Sequence, residues 1–135
     1  MKKKSIHWLI PSLLWLALIF AHSAMPAELS HGESTGLLAL VQRILPWLSH
    51  HALRKLAHFG EFAVLGLLVT GFFRQIRGFR LIRPLGACLV SALTDETIQL
   101  FVVGRSGQIG DVWLDFSGAV FGAVLMWLIF RICRK

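Results

Sequence analysis

Residues 85–103 read LGACLVSALTDETIQLFVV, an apolar run long enough to cross a bilayer that nevertheless carries Asp95 and Glu96. Ionisable groups at membrane depth are costly, so they normally face the interior of a helix bundle or a water-filled cavity. Charge interrupts apolar sequence in the same way at His58–Glu61 and at Asp111–Asp115. The sequence therefore predicts membrane-spanning helices that hold a polar functional site between them.

The composition of the whole chain supports an integral membrane protein. Hydrophobic residues make up 56% of the 135 residues, and the mean hydropathy is +0.67, which exceeds what a soluble domain of this size can bury. We predict one all-α domain, residues 1–135, with four transmembrane helices of roughly 20 residues each. The first is expected to be a retained anchor rather than a cleaved signal. The predicted spans are Ile6–Ala24, Leu56–Phe73, Leu85–Val103 and Val112–Phe130.

A shorter apolar segment, Gly36–Leu45, separates the first two predicted spans and is too short to cross the membrane. Ser34 is a suitable residue to cap its start, and Pro46 helps to end it. Trp47 adds an aromatic side chain of the kind that anchors helices at the membrane surface. We predict an interfacial helix between the first and second spans, lying on the outer side.

The distribution of charge predicts the orientation. Of the 14 lysine and arginine residues, only Arg43, Arg54, Lys55 and Arg105 lie away from the side that carries the termini. Short cytoplasmic loops collect basic residues, so we expect a multi-pass protein of the cell (inner) membrane with both termini cytoplasmic. All 7 carboxylates then lie in the outer half. The net charge of +7 therefore reflects a basic collar that faces anionic lipids. Because the basic residues are placed in this way, nucleic acid is not the expected partner.

Helical spacing groups the polar residues into faces, because residues three, four or seven positions apart share a side. Each of the last three spans presents one such face at the same depth, and the loop 104–110 adds a cation above them. On the last span the face continues as Gly118 and Gly122, a spacing that lets another helix approach closely. The predicted site comprises Arg54, Lys55, His58, Glu61, Asp95, Glu96, Gln99, Arg105, Asp111 and Asp115.

In this order, these blocks resemble the VanZ-like membrane proteins, a family named for an accessory protein of glycopeptide-resistance clusters. A weaker similarity lies upstream, at Ile19–Ser23. The resemblance implies a small multi-pass membrane protein and an association with lower susceptibility to teicoplanin, and it implies no particular reaction. The matching residues are Arg54-Lys55, His58-Phe59, Glu61-Phe62, Asp95-Glu96, Gln99, Arg105, Gly107, Asp111-Val112, Asp115, Gly118-Ala119 and Gly122.

The first function compatible with these residues is binding or modulation of an envelope molecule. Arginine and lysine would engage an anionic group, since guanidinium holds phosphate or carboxylate bidentately, while carboxylates orient hydroxyls or amines. The expected ligands are a membrane lipid headgroup, a lipid-linked wall precursor or a glycopeptide antibiotic. The predicted binding residues are Arg54, Lys55, Gln99, Arg105, Asp111 and Asp115.

The alternative is an intramembrane hydrolase or transferase acting on a lipid-linked substrate, because clustered carboxylates raise one another's pKa values and can act as general bases. Its candidate catalytic residues are His58, Glu61, Asp95 and Glu96. A divalent metal held by His58, Glu61, Asp95 and Asp115 stays an open variant of this alternative, although no helix carries a zincin-like histidine pair. A proton-coupled carrier ranks last, since the inner half lacks the necessary carboxylates.

A purely structural alternative also exists, in which pairs such as Arg54–Glu61 and Arg105–Asp111 lock the helices together. Polar pairing between membrane helices is common and modest in energy. It explains any single residue of the set as well as a functional role does. It explains the whole set less well, because so many ionisable groups at one depth exceed what packing specificity requires. The sequence leaves enzyme or binding protein, and the oligomeric state, undecided.

Overall fold

The computed structural model describes residues 3–26, 49–76 and 78–133. Within these ranges the chain forms four α-helices and no strand, so the all-helical prediction is confirmed for the described residues. The predicted interfacial helix, Gly36–Leu45, lies outside them. The helices are α1, Lys3–Ser23; α2, His50–Phe73; α3, Ile82–Leu100; and α4, Ile109–Ile132.

Three of the described helices are long and apolar enough to cross a membrane, over Ile6–Ser23, His51–Phe73 and Ile109–Ile132. The remaining helix, α3, has 19 residues, but Asp95 and Glu96 lower its hydropathy. Both of these side chains are buried, so they do not face the surroundings of the bundle. A fourth membrane span at α3 therefore stays a prediction. The apolar side chains on the exposed side of α3 favour it.

Two local signals set the helix boundaries at the ends that matter for the site. The Ser49 side chain accepts a hydrogen bond from the backbone N–H of Ala52 and caps the start of α2 at 3.2 Å. Gly104, in the turn between α3 and α4, has a φ of 77°, a left-handed conformation that glycine adopts without steric cost. Gly104 therefore allows the chain to turn tightly after α3.

The most extensive helix contact joins α2 and α4, and glycines bring the two backbones together. A Cβ added at Gly118 would overlap the carbonyl oxygen of Phe59, and one added at Gly122 would overlap that of Ala63. Gly66 of α2 makes the reciprocal approach to α4. The close helix approach predicted from the glycine spacing is thus confirmed, and backbone atoms rather than side chains form this part of the interface.

Helices α1 and α3 complete the bundle by packing against α2, and α3 also contacts α4. The C-termini of α1 and α3 meet the N-termini of α2 and α4 at one end, which we call the polar end. Below it lies an apolar core that holds the four helices in register. The buried core side chains are Ile19, Phe62, Leu65, Cys88, Ala92, Val112 and Ala119.

Candidate functional site

Three buried ionisable side chains from different helices meet just below the polar end. His58 comes from α2, Asp95 from α3 and Asp115 from α4, and both aspartates have no exposed surface. The Nδ1 atom of His58 lies 3.8 Å from Asp115 Oδ1 and 4.0 Å from Asp95 Oδ2. The structure therefore brings together one residue from each of the three polar faces identified in the sequence. We call these three residues the central cluster.

The members of the central cluster face one another at distances too long for hydrogen bonds. His58 Nδ1, Asp95 Oδ1 and both carboxylate oxygens of Asp115 are buried and have no hydrogen-bond partner among the described residues. Asp95 Oδ2 accepts a hydrogen bond from Gln99 Nε2 at 3.0 Å. Unpaired buried polar atoms are expensive, so this arrangement suits a group that shares protons or receives a cation.

A cavity of about 200 Å³ opens above the central cluster, with His58 among its lining residues. Its wall is rich in charge and contains more cations than carboxylates. The Lys55 ammonium pairs with Asp111 Oδ1 at 2.9 Å, which largely cancels one charge of each sign. The other charged lining residues are Arg54, Glu96 and Arg105.

Arg54 is the cation in this wall with the fewest commitments. Among the described residues its hydrogen-bond partner is Gln99, whose Oε1 accepts from Arg54 Nη2 at 3.3 Å. Guanidinium carries five N–H donors, so most of its donor capacity remains for a ligand. The Arg54–Glu61 pair of the structural alternative is not formed between these described side chains; the neutral Gln99 takes its place.

Arg105 is mainly a clamp on the end of α1. Its Nε and Nη2 groups donate to the carbonyl oxygens of Met25 and His22 at 2.8 and 3.1 Å, satisfying acceptors that a helix end leaves free. Burial lowers the pKa of the Arg105 guanidinium, and the nearby charge of Arg54 adds to that effect. The Nη1 atom is buried without a hydrogen-bond partner among the described residues. The Arg105–Asp111 pair considered from the sequence is not formed, since Asp111 pairs with Lys55.

Glu96 holds the loop between α3 and α4 in place. Its Oε2 accepts a hydrogen bond from the backbone N–H of Gln108 at 2.8 Å, at the start of α4. A carboxylate at a helix N-terminus is favoured by the helix dipole and by the free N–H groups there. Gln99 also approaches Glu96 Oε1 at 3.4 Å. Glu96 therefore positions the cavity wall, and its role as a catalytic group stays a prediction.

Glu61 faces α1 instead of the central cluster. Its Oε1 lies 3.0 Å from His22 Nδ1, and its backbone oxygen accepts a hydrogen bond from Trp15 Nε1 at 2.9 Å. The group of potential metal ligands in the described chain comprises His58, Asp95 and Asp115. Glu61 is not part of it, in contrast to the four-residue set considered from the sequence.

His22 is a residue of the site that the sequence analysis did not single out. Its ring stacks on that of His58, with centroids 6.3 Å apart, and it links Glu61 to the neighbourhood of the central cluster. The neighbouring Ser23 is fully buried, and its hydroxyl lies beside Asp95. The sequence signal that could have identified His22 is that it is an ionisable residue in the last turn of an apolar span.

Apolar helices that enclose an ionisable cluster beneath a charged cavity are consistent with a membrane protein that holds a polar site at one end of its helix bundle. The sequence matches the family model of VanZ/LLP1 over residues 8–131, nearly the whole chain, and the protein belongs to this family. The resemblance to VanZ-like proteins is thereby confirmed. No curated protein and no solved structure matches the chain.

Proposed function

We propose that this protein binds the anionic group of an envelope molecule in the polar-end cavity and thereby modulates the cell envelope. The ligand is a lipid headgroup, a lipid-linked wall precursor or part of a glycopeptide antibiotic. The observation that carries the proposal is Arg54, which lines the cavity with one long hydrogen bond to a neutral partner among the described residues. A guanidinium with free donors at a concave site suits phosphate or carboxylate recognition.

The balance of charge in the cavity wall supports an anionic ligand. Lys55 and Asp111 neutralise each other, and Glu96 is engaged with the N-terminus of α4. Arg54 and Arg105 are the remaining cations of the cavity lining. A volume of about 200 Å³ accommodates a phosphate-sized group with adjoining atoms, so a large antibiotic would insert only a part of itself.

The basic residues at the opposite end of the bundle support an extracytoplasmic location of the cavity. Arg74, Arg80, Arg83 and Arg131 lie at the end of the bundle opposite the cavity, where the positive-inside tendency favours the cytoplasm. The cavity then opens toward the cell surface, where wall precursors and glycopeptides meet. A location in the cell membrane with both termini cytoplasmic and lower teicoplanin susceptibility are parts of the same proposal.

Native mass spectrometry of the detergent-purified protein with added phosphatidylglycerol tests the binding step. We expect one tightly retained lipid on the wild type, and about 10-fold to 100-fold weaker retention on Arg54→Gln, because a hydrogen bond to a charged group contributes about 1.5–3 kcal/mol. Arg80→Gln, an exposed cation at the opposite end, is the matched control for nonspecific lipid attachment. Equal retention by both variants would refute the proposal.

A second candidate function, a hydrolase or transferase on a lipid-linked substrate, is favoured by one observation: His58 both lines the cavity and contacts the buried carboxylates. An imidazole beside carboxylates is suited to general acid–base catalysis. Under this function Asp95→Asn abolishes a teicoplanin-susceptibility effect while membrane levels and lipid retention persist. Loss of the effect only in Arg54→Gln would instead favour binding alone.

A further inference from the structure

The central cluster contains more buried negative charge than its surroundings balance. Asp95 and Asp115 are fully buried, and neither forms an ion pair with lysine or arginine among the described residues. Lys55 pairs with Asp111, and Arg54, which donates to the neutral Gln99, forms no ion pair with either aspartate. Burying two carboxylates without a compensating charge is strongly unfavourable. A bound cation or a shared proton would offset this cost.

We propose that His58, Asp95 and Asp115 together bind one divalent transition-metal ion, Zn²⁺ or Mn²⁺, at the floor of the cavity. This inference goes beyond the proposed binding of an anionic group and does not depend on it. The atoms of this cluster without a hydrogen-bond partner among the described residues are His58 Nδ1, Asp95 Oδ1 and both carboxylate oxygens of Asp115. No donor in the described chain competes with an ion for Asp115.

The distances fit a single ion. One ligand atom from each residue can be chosen so that all lie within 4.8 Å of one another. With metal–ligand bonds of about 2.0–2.2 Å, two ligands are separated by roughly 3.3–3.6 Å around a tetrahedral ion and by roughly 4.0–4.4 Å when they lie opposite each other around an octahedral ion. The separations of 3.8 and 4.0 Å from His58 Nδ1 to the carboxylates are too long for direct hydrogen bonds and suitable for a shared metal.

The ligand types select among metals. Imidazole nitrogen with two carboxylates suits Zn²⁺ and Mn²⁺, whereas Ca²⁺ and Mg²⁺ prefer oxygen ligands alone. Gln99 Nε2 donates to Asp95 Oδ2, which fixes that carboxylate and leaves Oδ1 free, as outer-shell hydrogen bonds do at metal sites. Because His58 lines the cavity, a remaining coordination position would be open to water or to a ligand oxygen.

Metal analysis of the purified protein tests the inference directly. The protein is prepared without chelator, and its zinc and manganese contents are measured by inductively coupled plasma mass spectrometry. Chelator-stripped protein is then titrated with Zn²⁺ and with Mn²⁺. We expect about one ion per chain, and a loss of affinity of roughly 100-fold or more in Asp115→Asn, beyond what removing an outer-shell partner costs.

Asp111→Asn is the matched control, since Asp111 lies one turn away on the same helix and pairs with Lys55. We expect it to retain the ion. A wild type that contains no metal and takes up neither ion overturns the proposal, and so do equal affinities in the two variants.

A measurement on the wild type alone covers the case in which Asp115→Asn does not fold. Co²⁺ added to the stripped protein should give visible absorption bands of a nitrogen and oxygen site, which Zn²⁺ then abolishes. A Co²⁺ spectrum that is the same with the protein as in buffer alone refutes the site. Arg54→Gln should keep the metal while losing the anionic lipid, so failure of the metal proposal and failure of the binding proposal give different results.

Discussion

Gly122→Ala is expected to destabilise the bundle at the contact between α2 and α4. A Cβ at this position would overlap the carbonyl oxygen of Ala63 and lie 3.0 Å from the backbone nitrogen of Leu67. These are backbone atoms, so no side-chain rotation can relieve the overlap. The two helices must move apart, and the contacts that Gly118 and Gly66 make along the same interface are loosened with them.

The magnitude follows from comparison with Gly60→Ala. Gly60 lies in α2, and a Cβ there would meet nothing within 4 Å, so the alanine should stabilise the helix by about 0.8–1.0 kcal/mol. Overpacking at a tight contact costs typically 1–3 kcal/mol. Alanine gains this propensity at both positions, so we expect the free energy of unfolding of Gly122→Ala to lie about 1–3 kcal/mol below that of Gly60→Ala.

Equilibrium unfolding in mixed detergent micelles measures this difference, with the fluorescence of the 5 tryptophans as the signal. Both variants are titrated with a denaturing detergent under conditions in which the wild type unfolds reversibly. Equal unfolding midpoints for Gly122→Ala and Gly60→Ala would show that the α2–α4 backbones are not in contact. The close-packed interface described above would then be incorrect.

Three further predictions concern the two ends of the bundle. Arg105→Lys cannot hold both carbonyls at the end of α1, so hydrogen exchange there should accelerate, and an unchanged rate argues against the clamp. A double-mutant cycle of Lys55→Met with Asp111→Asn should give a coupling free energy below about 1 kcal/mol, because Lys55 is partly exposed to solvent. A larger value would show that the ion pair is shielded from water. An impermeant maleimide should label the exposed Cys133 only from the cytoplasmic side and leave the buried Cys88 unmodified. Labelling of Cys133 on intact cells would show that the orientation is opposite to the predicted one.

Hydropathy predicted the number and type of the described helices, but it placed their ends by apolar content alone. The second span was predicted to start at residue 56, whereas α2 starts at His50. Ser49 supplies the cap that begins the helix there, and the polar turns that follow belong to the site. The third predicted span ended at residue 103, whereas α3 ends at Leu100, because a tight turn through Gly104 follows it.

Residue spacing predicted which polar side chains share a helix face, and the structure places His58, Asp95 and Asp115 together accordingly. Spacing could not say which partner each face meets, because that depends on how each helix is rotated about its axis. Glu61 illustrates the difficulty. It shares a stripe with His58 in the sequence, yet α1 packs close enough for His22 to take its carboxylate.

The glycine contacts and the central cluster depend on each other. Asp115 precedes Gly118 by less than one helical turn, and Gly118 rests on the carbonyl of Phe59, the residue that follows His58. The backbone contact therefore fixes the separation of His58 and Asp115 with little freedom for adjustment. A site that holds two carboxylates beside one histidine needs such rigid support, since a small increase in helix separation would move Asp115 out of reach of the shared ion or proton.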